Sequence, residues 1–184
     1  MPHQLNWQEI CQMIPKRKAD AQKGDFGRLL CITGSRNMPG ACLLSTQAAL
    51  RGGAGLVTVA TAPENPMRLA AAAPEAMWLP LETDEAGFLR SSDQNQKMLE
   101  KQLSRANAML LGCGLGVTEE TRRLVHWVLE QAVCPVVLDA DGLNCAVSCI
   151  ELSRRTGKDW ILTPHPGEMA RLTGHSIPQI QENR

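Results

Sequence analysis

Three short segments of the chain contain residue types that could bind a ligand or move a proton. Each segment follows a short apolar run and precedes a stretch with helical periodicity, so each is predicted to lie where a strand ends and a helix begins. The segments are residues 112–116 (GCGLG), 139–144 (DADGLN) and 163–168 (TPHPGE).

The glycines of residues 112–116 point to a ligand that approaches the main chain closely. Gly114 and Gly116 have no side chains, so backbone N–H groups there could face an anionic or bulky ligand, aided by the following helix N-terminus. The spacing is neither the dinucleotide GxGxxG pattern nor a Walker A loop. A tight strand–helix turn without a ligand remains the alternative.

The segment after the predicted strand 135–138 offers two carboxylates and an amide, from Asp139, Asp141 and Asn144. These groups could bind Mg²⁺ through water, hold ribose hydroxyls or orient a catalytic group. Asp141 could instead cap the following helix. Asp139 is the stronger functional candidate because it directly follows the strand.

His165 lies between two prolines, which restrict the backbone and favour an extended conformation. A rigidly held histidine at a strand end could contact a ligand or transfer a proton near neutral pH. A helix is predicted to open at Pro166 or Gly167, with Glu168 in its first turn. The alternative is a histidine that only bonds backbone groups in the turn.

Alternating strands and helices are predicted to position these segments. The pattern favours a single α/β domain, residues 1–184, with a mainly parallel sheet and helices on both faces. Ligands bind outside the carboxyl ends of the strands in such sheets, so the three segments and a fourth loop at Gly34-Ser35 should meet at one edge. The predicted strands are 28–33, 56–60, 75–81, 108–111, 135–138 and 160–163, and the predicted helices are 40–51, 66–73, 93–105, 141–147 and one that starts after an N-cap at Thr118.

Composition excludes several classes of protein. The 19 basic residues balance 19 acidic ones, which argues against nucleic-acid binding through a basic field. No apolar run approaches the roughly 20 residues of a membrane span, and the first residues do not resemble a secretory signal. The seven cysteines are odd in number, scattered and without a CxxC pair. We therefore expect a cytoplasmic protein with reduced thiols, no metal site built from cysteines, and no membrane or nucleic-acid partner.

Two further segments, residues 23–28 (KGDFGR) and 48–57 (AALRGGAGLV), complete a series of five in a fixed order. With them the chain, from about residue 10 onward, resembles the ADP/ATP-dependent NAD(P)H-hydrate dehydratases, a repair family with a ribokinase-like fold. The resemblance implies a lyase that dehydrates the S epimer of hydrated NADH or NADPH, with ADP or ATP and Mg²⁺ as cofactors. It also implies a homo-oligomer. The substrate-binding residues carried over from the family are Ala41, Gly116 and His165, with Gly114, Asp139, Asn144 and Glu168 in support.

The sequence departs from the family in two ways. Cys113 stands where the family usually has proline, and the family's Lys-Gly-rich strand and Gly-x-Gly-Asp segment would lie after residue 184. The resemblance places the nucleotide cradle and the catalytic Asp there, so no catalytic residue is assigned. We expect a domain that is truncated at its C-terminus, inactive or impaired alone, and prone to self-association through an unpaired sheet edge.

Two other functions remain open from the residues. One is a small-molecule kinase of the same fold, acting on a vitamin or sugar, and the other is a non-catalytic remnant. For the dehydratase interpretation, replacing His165 with alanine is expected to weaken binding of NAD(P)-type ligands and to change the melting temperature little.

Overall fold

A computed structural model describes residues 4–14, 16–149 and 159–182. Within these residues six strands form one parallel sheet in the order β3-β2-β1-β4-β5-β6. The strands are β1 (Arg28–Ile32), β2 (Leu56–Thr61), β3 (Met77–Pro80), β4 (Ala108–Leu111), β5 (Val136–Leu138) and β6 (Trp160–Leu162).

Helices connect the strands and flank the sheet. None of the described helices is long and apolar enough to cross a membrane. They are α1 (Trp7–Met13), α2 (Pro39–Arg51), α3 (Asn65–Leu69), α4 (Asp93–Leu103), α5 (Glu119–Gln131), α6 (Asp141–Ala146), α7 (Pro166–Thr173) and α8 (Ile177–Glu182), with 3₁₀ turns at Lys23–Phe26 and Val147–Cys149.

All six predicted strands are present, with ends that shift by one or two residues. The predicted helix 66–73 is shorter, because α3 ends at Leu69 and the chain turns through residues 70–73 before Pro74. Pro74 disfavours helical geometry at Ala73, the residue before it, so the helix could not have continued past that point. Two helices were not predicted. One of them, α1, is a seven-residue helix whose start is held by a capping box between Asn6 and Glu9.

The two faces of the sheet are covered unequally. Alternate strand residues such as Leu30 and Leu111 point to the side that carries α4, α5 and α6, which we call the α5 face. The residues between them, such as Cys31 and Val59, point to the side that carries α2 and α3, which we call the α2 face. Helices on both faces were predicted, and this is confirmed.

Coverage of the α2 face stops halfway across the sheet. One row of paired residues crosses this face in the order Val59, Cys31, Leu110, Val137 and Ile161. The first two are fully buried, whereas the side chain of Ile161 is 57% exposed. After β3 the chain crosses to the α5 face through α4, and the later helices of the described core, α5 and α6, stay on that face. Within the described residues, Leu110 of β4 still packs against the core of the α2 face, whereas β5 and β6 have a helix layer on one side only.

The segments 23–28 and 48–57 meet at the amino ends of the strands, opposite the edge that carries the glycine loop. Gly55 donates its N–H to the Phe26 carbonyl oxygen at 3.0 Å. A Cβ on Gly55 would lie 1.7 Å from the carbonyl oxygen of Lys23. Close backbone packing thus explains this glycine, and the two segments position β1 and β2.

We predict that Gly55→Ala lowers the free energy of unfolding by about 1–3 kcal/mol, because the added methyl group must displace the Lys23 backbone. Gly24→Ala is the matched control, since no atom lies within 4 Å of its Cβ position. Its effect should stay within about 0.5 kcal/mol. Urea unfolding of the two variants measures the difference, and equal stabilities would refute this account of the contact.

Candidate functional site

The candidate site lies at the carboxyl ends of β1 and β4, which are neighbours in the sheet. The chain continues from β1 to β2, which lies on the other side of β1. Such switch points are where open α/β sheets bind ligands. Here the loops after β1 and β4 are joined by two backbone hydrogen bonds. The Gly34 N–H donates to the Cys113 carbonyl oxygen at 2.9 Å, and the Ser35 N–H donates to that of Gly114 at 2.7 Å.

The start of α2 approaches the glycine loop closely. Gly114 has a φ of +68°, and a Cβ there would lie 2.7 Å from the Cβ of Ala41 and 3.1 Å from that of Met38. Glycine is therefore required at this position for both conformation and space. The structure thus brings two of the predicted site residues, Ala41 and Gly114, into contact.

Gly116 lies between an aromatic ring and a carboxylate. Its φ is +78°, and a Cβ on it would lie 2.2 Å from the ring of Phe88. Its N–H donates to Oδ2 of Asp141 at 2.8 Å. Phe88 was not predicted as a site residue. It is one of two phenylalanines in the chain, and its turn reaches Gly116 only through the tertiary fold.

Asp139 joins the loops that follow three neighbouring strands. Its Oδ1 accepts a hydrogen bond from Thr163 Oγ1 at 2.7 Å, and its Oδ2 accepts one from Cys113 Sγ at 3.2 Å. Burial, with a further contribution from this carboxylate, raises the pKa of the Cys113 thiol to about 11. The thiol is therefore protonated near neutral pH and can donate this bond.

The alternative role considered for Asp141, a helix cap, is wrong. The N-cap of α6 is Ala140, and no side chain caps this helix. Ala140 has a φ of 50° and a ψ of −118°, an unfavourable conformation for a residue with a side chain. This conformation lies between the two aspartates, which both accept hydrogen bonds from the loop after β4.

His165 caps α7 with its own ring. Its Nδ1 accepts hydrogen bonds from the N–H groups of Gly167 at 3.0 Å and Glu168 at 3.4 Å. Since Nδ1 is an acceptor, the proton of the neutral ring lies on Nε2, which faces Oε1 of Glu168 at 3.2 Å. Glu168 also accepts the N–H of His165 at 2.9 Å, which completes a capping box.

This geometry assigns His165 the turn role that the sequence left as an alternative. The ring is nevertheless 61% exposed, whereas the Glu168 side chain is 7% exposed. One group thus serves as a structural cap and also presents an accessible surface at the loop after β6. The sequence predicts that His165→Ala changes stability little, and this prediction does not include the cap. Sequence periodicity gives no sign that a side chain accepts hydrogen bonds from backbone N–H groups.

Asn144 takes part in helix packing. Its Oδ1 accepts a hydrogen bond from Arg171 of α7 at 2.7 Å, and its carbonyl oxygen accepts one from Arg122 of α5 at 3.0 Å. Both partners are helix residues, so Asn144 joins α6 to its two neighbouring helices. The structure places it one turn away from the aspartates that bond the loops.

The described residues do not fit a Mg²⁺ site. Both oxygens of Asp139 accept hydrogen bonds, as does Oδ2 of Asp141. Across the part of the chain that the structure describes, no group of three or more His, Cys, Asp or Glu residues is placed to hold a metal ion. We therefore derive no step through a bound metal or nucleotide.

We predict that His165→Ala lowers the free energy of unfolding by about 0.5–2 kcal/mol, because α7 loses its N-cap acceptor. His165→Asn should lower the free energy of unfolding by only about a few tenths of a kcal/mol, since asparagine caps helices well. Urea denaturation of both variants decides the point. Two equally stable variants would show that the ring bonds contribute nothing to stability.

A second prediction separates backbone strain from crowding at Gly116. Gly174 has nearly the same φ, +74°, with no atom within 4 Å of its Cβ position. Gly174→Ala should therefore cost only the roughly 1–2 kcal/mol of left-handed strain. Gly116→Ala should cost more, because its methyl group also collides with Phe88.

Combining Gly116→Ala with Phe88→Ala tests the origin of this extra cost. Thermal or urea unfolding of the single and double variants gives the interaction energy between the two positions. We expect Phe88→Ala to be less destabilising in the Gly116→Ala background than in the unaltered chain. Strictly additive effects would contradict the proposed collision.

Comparison with known proteins provides independent evidence about this site. A family model described as NAD(P)H-hydrate dehydratase matches residues 29–184. The chain is 39% identical over 180 residues to a bifunctional NAD(P)H-hydrate repair enzyme of Coxiella burnetii, covering 98% of this chain and 33% of that protein. It is 38% identical over 170 residues to the ADP-dependent (S)-NAD(P)H-hydrate dehydratase of Xanthomonas campestris, covering 92% and 55%.

Solved structures agree with the sequence matches. A ribokinase-like superfamily protein of Enterococcus faecalis superposes with a TM-score of 0.78 at 27% identity, over 95% of this chain and 58% of that one. A Bacillus subtilis ADP/ATP-dependent NAD(P)H-hydrate dehydratase, co-crystallized with ATP/Mg²⁺, gives 0.75 at 31% identity, over 96% and 58%. The predicted ribokinase-like fold is thus confirmed.

The chain spans about a third of the length of the bifunctional relatives and just over half that of the single-function ones. The family match itself covers most of the chain and includes the loops after β1, β4, β5 and β6. This protein belongs to the NAD(P)H-hydrate dehydratase family.

Proposed function

We propose that this chain carries the nicotinamide-binding part of an NAD(P)H-hydrate dehydratase site, which binds the S epimer of hydrated NADH or NADPH. One observation carries the proposal. Hydrogen bonds join the loops after β1, β4, β5 and β6 into a single edge, and this edge holds Ala41, Gly116 and His165. The names of the matched relatives support the choice of ligand.

Small residues would form one wall of this site. Ala41 and Gly114 touch without side chains long enough to fill the space in front of them. A planar ring could therefore approach the main chain there. In the proposed role, the wall orients the hydrated ring and excludes water on one side.

His165 would form the opposite wall. Its Nδ1 is engaged by two backbone N–H groups and its Nε2 by Glu168, so the ring is held in one orientation. Its exposed face could pack against a ligand. We propose that His165 contacts the substrate, that Glu168 positions this ring, and that Asp139 and Asn144 act only through the loops and helices that they join.

One matched dehydratase is named as ADP-dependent, and another was co-crystallized with ATP/Mg²⁺. The proposed dehydration therefore also requires a nucleotide and Mg²⁺. The described residues supply no such site, so we propose that this part of the protein binds and orients the substrate. Turnover would depend on groups that the described residues do not include.

Isothermal titration of hydrated NADPH into the chain tests the proposal, with His165→Asn as the informative variant. Asparagine keeps the cap but removes the ring surface, so affinity should fall up to about tenfold, equivalent to roughly 0.5–1.5 kcal/mol. His126→Asn is the control, because that histidine is half exposed on α5 and its Nε2 lies 3.9 Å from Glu130. It should bind like the unaltered chain.

Two results would overturn this assignment. Absence of binding by the unaltered chain would remove the nicotinamide proposal altogether, and equal affinity of the two variants would remove His165 from the site. A thermal-shift comparison covers the alternative class. Stabilisation by a thiazole or a sugar alcohol instead of hydrated NADPH would favour a small-molecule kinase.

A further inference from the structure

The segment between β3 and α4 brings an aromatic ring to the candidate site from a strand that the proposed function does not use. We call residues 84–88 (DEAGF) the Phe88 turn. Asp84 closes this turn, because its N–H donates to the Phe88 carbonyl oxygen at 2.9 Å and its Oδ1 accepts the N–H of Phe88 at 2.9 Å. The turn is therefore a closed, hydrogen-bonded unit.

Buried leucines anchor the turn on both sides. Leu81 before it and Leu89 after it are fully buried in the core of the α5 face. Thr83 pairs with Leu89 in an antiparallel bridge, which brings the two ends of the turn together. Packed cores leave little freedom to the residues that they enclose, so the position of Phe88 is fixed from behind.

Arg36, in the loop after β1, holds the tip of the Phe88 turn. Its N–H donates to the Gly87 carbonyl oxygen at 2.9 Å, and its Nη1 donates to the Glu85 carbonyl oxygen at 2.9 Å. A Cβ on Gly87 would overlap the Cβ of Arg36, so the two segments are in close contact. The preceding residue, Ser35, bonds Gly114. The loop after β1 therefore holds the glycine loop and the aromatic turn together.

Glu64, in the loop after β2, fixes the guanidinium of Arg36. Its Oε1 accepts a hydrogen bond from Nε at 2.7 Å, and the two side chains are partly buried. Burial alone would raise the pKa of Glu64, but its hydrogen bonds and the charges of Arg36 and Arg68 leave that pKa below its usual range. The carboxylate is therefore charged at neutral pH, and the ion pair is intact there.

The ring of Phe88 lies against the main chain of the glycine loop. A Cβ on Gly116 would overlap two carbons of this ring, so only glycine allows the approach. The Phe88 side chain is half-buried, unlike its fully buried neighbour Leu89. A ring that only filled the core would be buried to the same extent as Leu89. Phe88 instead keeps accessible surface beside Gly116.

We propose that Phe88 contacts the hydrated nicotinamide ring of the substrate, and that Arg36 is a positioning residue that holds Phe88 in place for this contact. The proposal rests on the proposed function, which places the substrate beside Ala41 and Gly116. Aromatic side chains offer a large apolar surface at little conformational cost and pack against other rings. Phe88 would thus add an aromatic side to a site whose other described wall is built from small residues.

The two ring-bearing residues of the proposed site come from opposite edges of the sheet. His165 follows β6, and Phe88 follows β3, which are the two edge strands within the described residues. The Phe88 turn reaches the glycine loop because Arg36 draws it toward β1, in the middle of the sheet. Loss of the Arg36 side chain should therefore displace the ring without changing the glycine loop itself.

Fluorine NMR tests the contact directly, because the chain has only two phenylalanines, Phe88 and Phe26. The chain is labelled with para-fluorophenylalanine, and Phe88→Leu assigns the two resonances. On titration with hydrated NADPH we expect the Phe88 resonance to shift in step with the occupancy measured by calorimetry. The resonance of Phe26, which lies at the amino ends of the strands, should not move. Hydrated reduced nicotinamide mononucleotide should shift the same resonance as the dinucleotide.

A pair of identical substitutions measures the contribution to affinity. Phe88→Leu keeps apolar bulk against Gly116 but removes the aromatic ring, so affinity for hydrated NADPH should fall about two- to tenfold. Phe26→Leu is the matched control, because both phenylalanines are half-buried and Phe26 lies at the opposite end of the strands. It should bind like the unaltered chain.

The role of Arg36 is tested first without ligand. Arg36→Ala removes the bonds to Glu85 and Glu64, so it should shift or broaden the Phe88 fluorine resonance in the free chain. Its affinity for hydrated NADPH should fall about as far as that of Phe88→Leu. Combining the two substitutions should add little further loss, because both act on one contact.

Arg123→Ala is the control for loss of an arginine ion pair. Arg123 bonds Glu119 and Glu120 on the exposed surface of α5. This variant should leave both the Phe88 resonance and the affinity unchanged. A purely structural role of Arg36 would lower the melting temperature and leave those two readouts as they are in the unaltered chain.

Three results would overturn the proposal. One is binding of hydrated NADPH, measured by calorimetry, with an unchanged Phe88 resonance. Another is a shift caused by the dinucleotide but not by saturating mononucleotide, which would place the contact at the adenine end. The third is an unchanged Phe88 resonance in Arg36→Ala, which would remove the positioning role. Absence of calorimetric binding by the unaltered chain would overturn the proposed function as well, and is thereby distinguished from these three.

Discussion

The loop after β5 holds the carboxyl edge of the sheet together. Two aspartates, separated by one residue, accept hydrogen bonds from neighbouring loops. Asp139 accepts from Cys113 in the loop after β4 and from Thr163 in the loop after β6, and Asp141 accepts from Gly116 in the loop after β4. Bonds to charged acceptors are stronger than those between neutral groups. The close approach of Ala41 to Gly114 and the position of Phe88 against Gly116 both depend on a glycine loop that is fixed in this way.

Cys113 shows how one constraint can replace another. Proline, which the family resemblance leads us to expect at this position, would restrict the backbone through its ring. The thiol instead donates to a carboxylate, and burial keeps it protonated by raising its pKa to about 11. A side-chain hydrogen bond thus restrains this loop, and Asp139 contributes to its stability.

The sequence predicts the strands and the site edge well because both depend on local patterns. Continuous apolar runs mark β1 and β4, and Thr118 caps α5 as predicted. The failures come from geometry that residue periodicity does not specify. The contact of Phe88 with Gly116 joins distant loops, the capping bonds of His165 depend on rotamer geometry, and the incomplete layer on the α2 face depends on which side each crossover takes. None of these leaves a periodic signal in the chain.

The order of the strands has a consequence for how the chain folds. Partner residues lie 19 to 28 positions apart in four of the strand pairings, but 79 apart between β1 and β4. Closing this long loop carries the largest entropic cost in the sheet, and non-local pairing slows folding. The loops after β1 and β4, which are hydrogen-bonded to each other, span that same junction. The proposed ligand edge is therefore assembled in the step that joins the two halves of the sheet, not within either half.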